Sequence, residues 1–214
     1  MMTFSSIKRY ISNNSPINEY KEKNYLEFNN NEFILIDEGI VFKYQLYSNG
    51  EYNITNIYDN GSLMYLNSDN FGLFTKSDCS FYKVSERELY SIKDESIQRD
   101  INEFLKTELI KKNMFIRDFS RFGKSERILS TLIRLCNSFG VIKNNYIMID
   151  IKLSHTELSQ ITYMARENVS RTMAKLKKEG IITYERGKII VCDFDFLMKE
   201  LQCEDCSILN CSMK

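Results

Sequence analysis

The spacing of apolar residues changes character several times along the chain. Phe4, Ile7 and Ile11 recur at helical spacing, which predicts a small amphipathic helix over residues 3–12. From Asn24 to Tyr90 the pattern shortens. Apolar, β-rich runs at 33–36, 40–46, 52–58, 62–66 and 81–84 alternate with Asn, Asp and Gly. Turns at Ser48-Asn49-Gly50 and Asp59-Asn60-Gly61 separate some of them, and this rhythm predicts an antiparallel sandwich or barrel. From Asp94 to Phe122 the period is helical again. Ile97, Ile101, Leu105, Leu109, Ile116 and Phe119 form a stripe, with Phe104 and Phe115 beside it and Glu108 and Lys112 interrupting it. Such a stripe either rests on the chain's own β layer or pairs with a second copy as a coiled coil.

Gly123 marks a break, and residues 124–139 read as a helix with Ile128, Leu132 and Leu135 inward. A β-like run at 146–151 leads into the stretch LSHTELSQITYMARENVSRTMAKLKK, residues 153–178. Ser154 with Glu157 makes a capping box for a first helix, in which Leu158 and Ile161 face inward. A break follows at Tyr163-Met164-Ala165. In the second helix Val169, Met173 and Leu176 share one face and Arg166, Glu167, Ser170 and Arg171 share the other. Two apolar runs, 181–184 and 188–192, then flank Glu185-Arg186-Gly187, a hairpin signal with a glycine for the positive-φ turn. A last short helical piece spans 194–201. This is the layout of a winged helix-turn-helix whose second helix lies in the DNA major groove. Arginine can bridge the two acceptors of guanine, and glutamate can accept from the amino group of cytosine. Lys175, Lys177 and Lys178 would meet phosphate, as would His155 and Thr156 at the start of the first helix and Arg186 and Lys188 at the wing. The competing reading is an amphipathic helical hairpin with a solvated charged face.

The stretch LSHTELSQITYMARENVSRTMAKLKKEGIITYERGKIIV resembles the DNA-binding domain of the CRP/FNR family of bacterial transcription regulators. In that family the recognition helix opens Arg-Glu and carries Arg four residues after the Glu, which here are Arg166, Glu167 and Arg171; the FNR branch adds Ser before that Arg, here Ser170. The resemblance implies an α+β chain: an N-terminal antiparallel β-roll of the cyclic-nucleotide-binding kind over 1–95, a long dimerisation helix over 96–122, a C-terminal winged helix-turn-helix over 123–200, and a tail over 201–214. It implies a homodimer on palindromic TGTGA-like or TTGAT-like half-sites of double-stranded DNA, with RNA polymerase as a further partner. The run FILIDEGIVFKYQLYSNGEYNITNIYDNGSLM resembles the central strands of the roll. The cyclic-nucleotide members carry a Gly-Glu phosphate cradle followed by an Arg-Ser pair, and NSDNFGLFTKSDCSFYKV at that place has neither. Phosphate binding needs positive charge and free donors, so no cyclic nucleotide is expected, and no polar pocket of converging titratable groups is expected in the roll.

Composition adds limits. The 214 residues are 43% hydrophobic and 27% charged, ordinary for a globular protein. No run of some 18 apolar residues is present, and MMTFSSIKRYISNNSP lacks a signal-peptide core, so a cytoplasmic protein with no membrane segment is expected. Net charge is +0, yet residues 1–95 carry 9 Lys+Arg against 14 Asp+Glu, whereas residues 152–190 carry 8 against 4. The basic end is the end expected to meet phosphate. No nucleophile elbow, phosphate loop or paired His-Glu metal motif is present, so an enzyme is not expected.

The 6 cysteines stand at 79, 136, 192, 203, 206 and 211, and the first three sit among apolar neighbours. Cys203, Cys206 and Cys211 form a Cys-x2-Cys-x4-Cys tail, CEDCSILNC. Soft thiolates select zinc, Cu(I) or iron–sulfur clusters, and both structural zinc and an iron–sulfur cluster want a fourth ligand from elsewhere in the fold. The competing reading is a frayed tail with accidental thiols. The FNR-type regulators of Gram-positive bacilli, which this tail resembles, complete a 4Fe-4S cluster with an aspartate near the end of the dimer helix. The matching position is Asp118, in Arg117-Asp118-Phe119. The resemblance thus implies Cys203, Cys206, Cys211 and Asp118 as cluster ligands and control by oxygen; otherwise Asp118 is a surface carboxylate on a helix. The alternative regulator has no cluster and answers to a small molecule or peptide thiol in the β-roll, or is constitutively active.

Overall fold

The computed structural model describes residues 4–28, 30–67, 71–203 and 207–214. It divides into two compact units, Met1–Glu108 with Lys214, and Leu109–Met213. The fold is α+β, with antiparallel sheets first, then a long helix, then a helix-turn-helix.

In the first unit, two four-stranded antiparallel sheets form the β-roll. One has β1 (Ile17–Tyr20), β8 (Cys79–Ser85), β3 (Glu32–Glu38) and β6 (Leu63–Leu66) in that order. The other has β2 (Tyr25–Glu27), β7 (Phe71–Thr75), β4 (Val41–Leu46) and β5 (Tyr52–Tyr58). The five expected strands are present, and β1, β2 and β7 join them. Strand β3 is buried on both faces, because two cores meet it. Ile34 and Ile36 pack with Val41, Tyr58, Leu73 and Phe81 between the sheets. Phe33 and Leu35 pack outward against Ile7 and Ile11 of α1 (Ser5–Asn14), Leu89 of α2 (Glu86–Ser91), and Ile97, Ile101 and Phe104 of α3 (Glu95–Arg121). Gly39 closes the turn after β3 at φ +92, where an added Cβ would meet the Asp78 carbonyl and Cys79.

In the second unit, α4 (Lys124–Phe139) leads to the hairpin β9 (Gly140–Lys143) and β10 (Tyr146–Lys152). Then come α5 (His155–Thr162), α6 (Arg166–Lys178), β11 (Ile182–Glu185), β12 (Lys188–Val191) and α7 (Phe194–Glu200). The four strands form one antiparallel sheet in the order β11-β12-β10-β9. Leu132, Leu135, Ile161, Val169, Met173, Ile189 and Leu197 are buried in this unit. The expected capping box is made: Ser154 Oγ accepts from the Glu157 amide at 3.1 Å, and Glu157 Oε2 accepts from the Ser154 amide at 2.8 Å. Among the described residues no helix is long and apolar enough to cross a membrane.

The long stripe divides. Ile97, Ile101 and Phe104 are buried against the β-roll, whereas Leu109 is 60% exposed and Ile116 61% exposed. The two exposed positions lie seven residues apart, one heptad, on the part of α3 that belongs to the second unit.

Ser154→Ala removes the side-chain half of the cap and should lower stability by about 1 kcal/mol. The urea midpoint should fall with the slope unchanged; an unmoved midpoint would show that the cap contributes nothing to α5.

Candidate nucleic-acid interface and thiol-lined cavity

Helix α5 ends because Tyr163 takes the left-handed conformation, φ 53, as its C-cap. Ala165 then begins α6 in extended conformation. Tyr163 is held by two aromatic contacts, with Phe119 at 5.2 Å and Phe115 at 6.2 Å between ring centroids, so the turn packs against α3. Val169, Met173 and Leu176 are buried, and the helical period turns Arg166, Glu167 and Arg171 to the exposed side. Lys175 and Lys177 are exposed in the last turns, Lys175 standing 3.9 Å from Glu179. Thr156 is exposed at the start of α5.

Three expected contact residues are engaged within the protein. His155 and Ser170 are half-buried and bond to each other, Nδ1 to Oγ, at 2.9 Å. That bond ties α5 to α6 and turns part of their polar capacity inward. Lys188 pairs with Asp150 across the β10–β12 ladder. It flanks the tip turn of the wing, paired with Asp150 rather than free. The tip itself is Arg186-Gly187, a two-residue turn with both residues at positive φ, 51 and 82, between the partners Glu185 and Lys188. Arg186 is exposed there.

Sequence reasoning missed Tyr184 of β11. Its hydroxyl lies 3.5 Å from His155 Nε2, and Lys177 Nζ stands 5.8 Å from the centre of its ring. Partial burial pushes its hydroxyl pKa up. The available signal was an aromatic residue between a lysine-rich helix and a wing. Together α6, the start of α5 and the wing present guanidinium, carboxylate, hydroxyl and ammonium groups on the exposed side of the helix-turn-helix.

The end of the second unit holds a cavity of about 200 Å³ between the last turns of α3, α4, α7 and the tail. Asp118, Cys203 and Cys211 all line it; Cys206 lies outside the described residues. Asp118 is 7% exposed and not a surface carboxylate. Its Oδ2 accepts from Arg134 Nη2 at 2.6 Å and from Ser130 Oγ at 2.7 Å, while Arg117 stands 3.5 Å from Oδ1. Arg134 and Ser130 carry no signal of this role in the sequence, since both read as polar positions beside the apolar stripe of α4.

Residues 211–213 of the tail are anchored to α4. Asn137 Nδ2 donates to the Cys211 carbonyl at 2.8 Å, the Met213 amide donates to Ser138 Oγ at 2.7 Å, and Met213 is buried. Two cysteines and a carboxylate line one partly open cavity, so the donor set fits an iron–sulfur cluster in kind, although among the described residues no three Cys, His, Asp or Glu groups stand close enough to hold a single metal ion. The cysteines at 79 and 136 differ. Burial raises the Cys136 thiol pKa to about 12, and burial with the nearby Asp78 raises that of Cys79 to about 11, so neither offers a thiolate at neutral pH.

The β-roll departs from expectation in one respect. A polar cleft of about 320 Å³ is lined by Glu19, Lys21, Glu38 and Asp78, among others. It forms where the exposed β7–β8 turn meets the end of β1, and Lys21 pairs with Asp78 at 3.0 Å.

Residues 126–200 match the Crp-like helix-turn-helix domain. The chain is 37% identical over 129 residues to the anaerobic regulatory protein of Bacillus subtilis (strain 168), covering 60% of this chain and 53% of that protein. It is 30% identical over 87 residues to the global nitrogen regulator of Nostoc sp., covering 41% of this chain and 39% of that protein. The chain thus spans about half or less of the length of the curated relatives it matches. Among solved structures, FixK2 from Bradyrhizobium japonicum superposes with a TM-score of 0.75 at 18% identity, over 90% of this chain and 99% of that one. A CRP/FNR-family transcriptional regulator from Thermus thermophilus superposes with a TM-score of 0.66 at 15% identity, over 88% and 99%. The chain has the fold of the CRP/FNR transcription regulators and carries their Crp-like helix-turn-helix domain.

Proposed function

We propose that the chain acts as a homodimeric transcription regulator that reads a palindromic duplex, through TGTGA-like or TTGAT-like half-sites, and passes the signal to RNA polymerase. The observation that carries this reading is the exposed set Arg166, Glu167 and Arg171 on the outer face of α6, with Arg186 at the wing tip. Arg166 and Arg171 offer paired donors to guanine, Glu167 offers an acceptor to cytosine, and Lys175 and Lys177 neutralise phosphate. Two-fold symmetry in the operator calls for a second copy with its own α6 one helical turn away. Leu109 and Ile116, exposed at heptad spacing, supply an apolar seam for that pairing.

Control is assigned to a 4Fe-4S cluster held by Cys203, Cys206, Cys211 and Asp118. When bound, the cluster supplies an oxygen-labile redox centre. The chain's own part is to hold the tail against α4 and α3 and so bias the helix-turn-helix, whose turn packs on Phe115 and Phe119. Asp118 would be a hard ligand in a set of soft thiolates, and so the position it holds would be the one most open to exchange and to oxidant.

Three outcomes are expected. Arg171→Ala should cost about 1–3 kcal/mol of operator binding and relax base choice at one position of each half-site. An unchanged preferred sequence, read by selection from random duplexes, would remove Arg171 from the reading face. Ile116→Glu should halve the solution mass measured by light scattering; an unchanged mass would place the dimer seam elsewhere. Protein reconstituted anaerobically with iron and sulfide should be brown and lose operator affinity on aeration. A colourless product, or equal binding with and without air, would reject cluster control.

A further inference from the structure

We infer that Arg134 is the positioning residue of the cluster cavity: it fixes the carboxylate of Asp118 and adds a buried positive charge that raises the reduction potential of the group bound there. The inference rests on the cluster reading given above.

Arg134 is unusual on three counts. It is 3% exposed, so its cation is withdrawn from water, an arrangement that persists only when the charge is paired and its donors are satisfied. Its partner is Asp118, at 2.6 Å, on α3, and Ser130 completes the same oxygen at 2.7 Å. The guanidinium therefore holds the one proposed ligand that is not a thiolate. Yet the satisfaction is incomplete: Arg134 Nε is buried and has no hydrogen-bond partner among the described residues. A buried orphan donor calls for an explanation, and here the side chain lines the cavity that Cys203 and Cys211 also line.

The missing partner has to be an acceptor, and the charge requirement points the same way. A four-iron core in its two-plus state, with three thiolates and one carboxylate, is a dianion, and its sulfides and thiolates accept hydrogen bonds. In the structure as it stands the single Asp118 carboxylate faces two guanidiniums, Arg134 at 2.6 Å and Arg117 at 3.5 Å. A dianion in the same cavity balances that charge better than Asp118 alone does, and it offers the acceptor that Arg134 Nε lacks. A purely structural strut between α3 and α4 would explain the contact with Asp118. It would not explain a donor left buried beside a cavity.

The consequence has a sign. A nearby cation and a hydrogen bond stabilise the more negative, reduced form of the cluster over the oxidised form, so they raise its reduction potential. Removing the charge should lower it.

The test uses the full chain, reconstituted anaerobically with iron and sulfide, as wild type, R134Q and R134K. Iron and sulfide content are measured first, then the midpoint potential by spectroscopic redox titration. R134Q is expected to carry the cluster at a more negative potential, with the oxidised-to-reduced ratio at a fixed potential raised by about tenfold or more, equivalent to about 59 mV for a one-electron couple. If R134Q fails to load, R134K decides. Lysine keeps a charge but not the planar fork, so a smaller shift of the same sign is expected. A wild-type potential in a loaded variant would overturn the inference and leave the cluster reading standing. Wild-type protein that takes up neither iron nor sulfide would overturn both.

Discussion

Three apolar side chains on α6 must leave water together, and that requirement fixes which groups face outward. Val169, Met173 and Leu176 are 0%, 1% and 4% exposed. Burying them is worth about 1.5–3 kcal/mol each. On a helix, satisfying that face leaves Arg166, Glu167 and Arg171 no place but the opposite one. The helix is aimed by the turn before it. Tyr163 sits in the costly left-handed region, and its ring is held against Phe119 and Phe115 of α3. The outward chemistry of α6 thus depends on packing behind it and on one strained residue.

Helix α3 serves several ends along its length. Its first turns complete the core of the β-roll through Ile97, Ile101 and Phe104. Further on it presents Leu109 and Ile116 outward, Phe115 and Phe119 to the helix-turn-helix, and Asp118 inward to Arg134. Near its end Arg127 of α4 donates to the Phe119 and Phe122 carbonyls, which satisfies acceptors that a helix C-terminus leaves open. A change in what Asp118 binds would therefore be felt one turn away from the residues that touch Tyr163, and so close to the start of α6.

Much of this was legible because it is local. The capping box at Ser154, the break at Tyr163, the three apolar positions of α6 and the glycine of the wing are all signals within a few residues. What escaped is decided at long range. Strand β1 carries no alternation of its own and exists because Ile17–Tyr20 pairs with β8, far along the chain. Lys188 does flank the wing tip, but the β10–β12 ladder sets Asp150 beside it and pairs its charge. His155 and Ser170 read as separate contact residues, but the α5–α6 crossing brings them into one hydrogen bond. Arg134 looks like a solvated charge within α4, and only Asp118, sixteen residues earlier on another helix, explains its burial.

The central claim is that two copies of α6 enter one duplex and read base edges. Selection of binding sites by the full chain from a pool of random duplexes, sequenced to convergence, tests it most directly. The account predicts a two-fold symmetric sequence whose half-sites lie one helical turn apart, about 34–36 Å centre to centre. Convergence on an asymmetric site, or no convergence at all under low salt in either the reconstituted or the untreated protein, would contradict it.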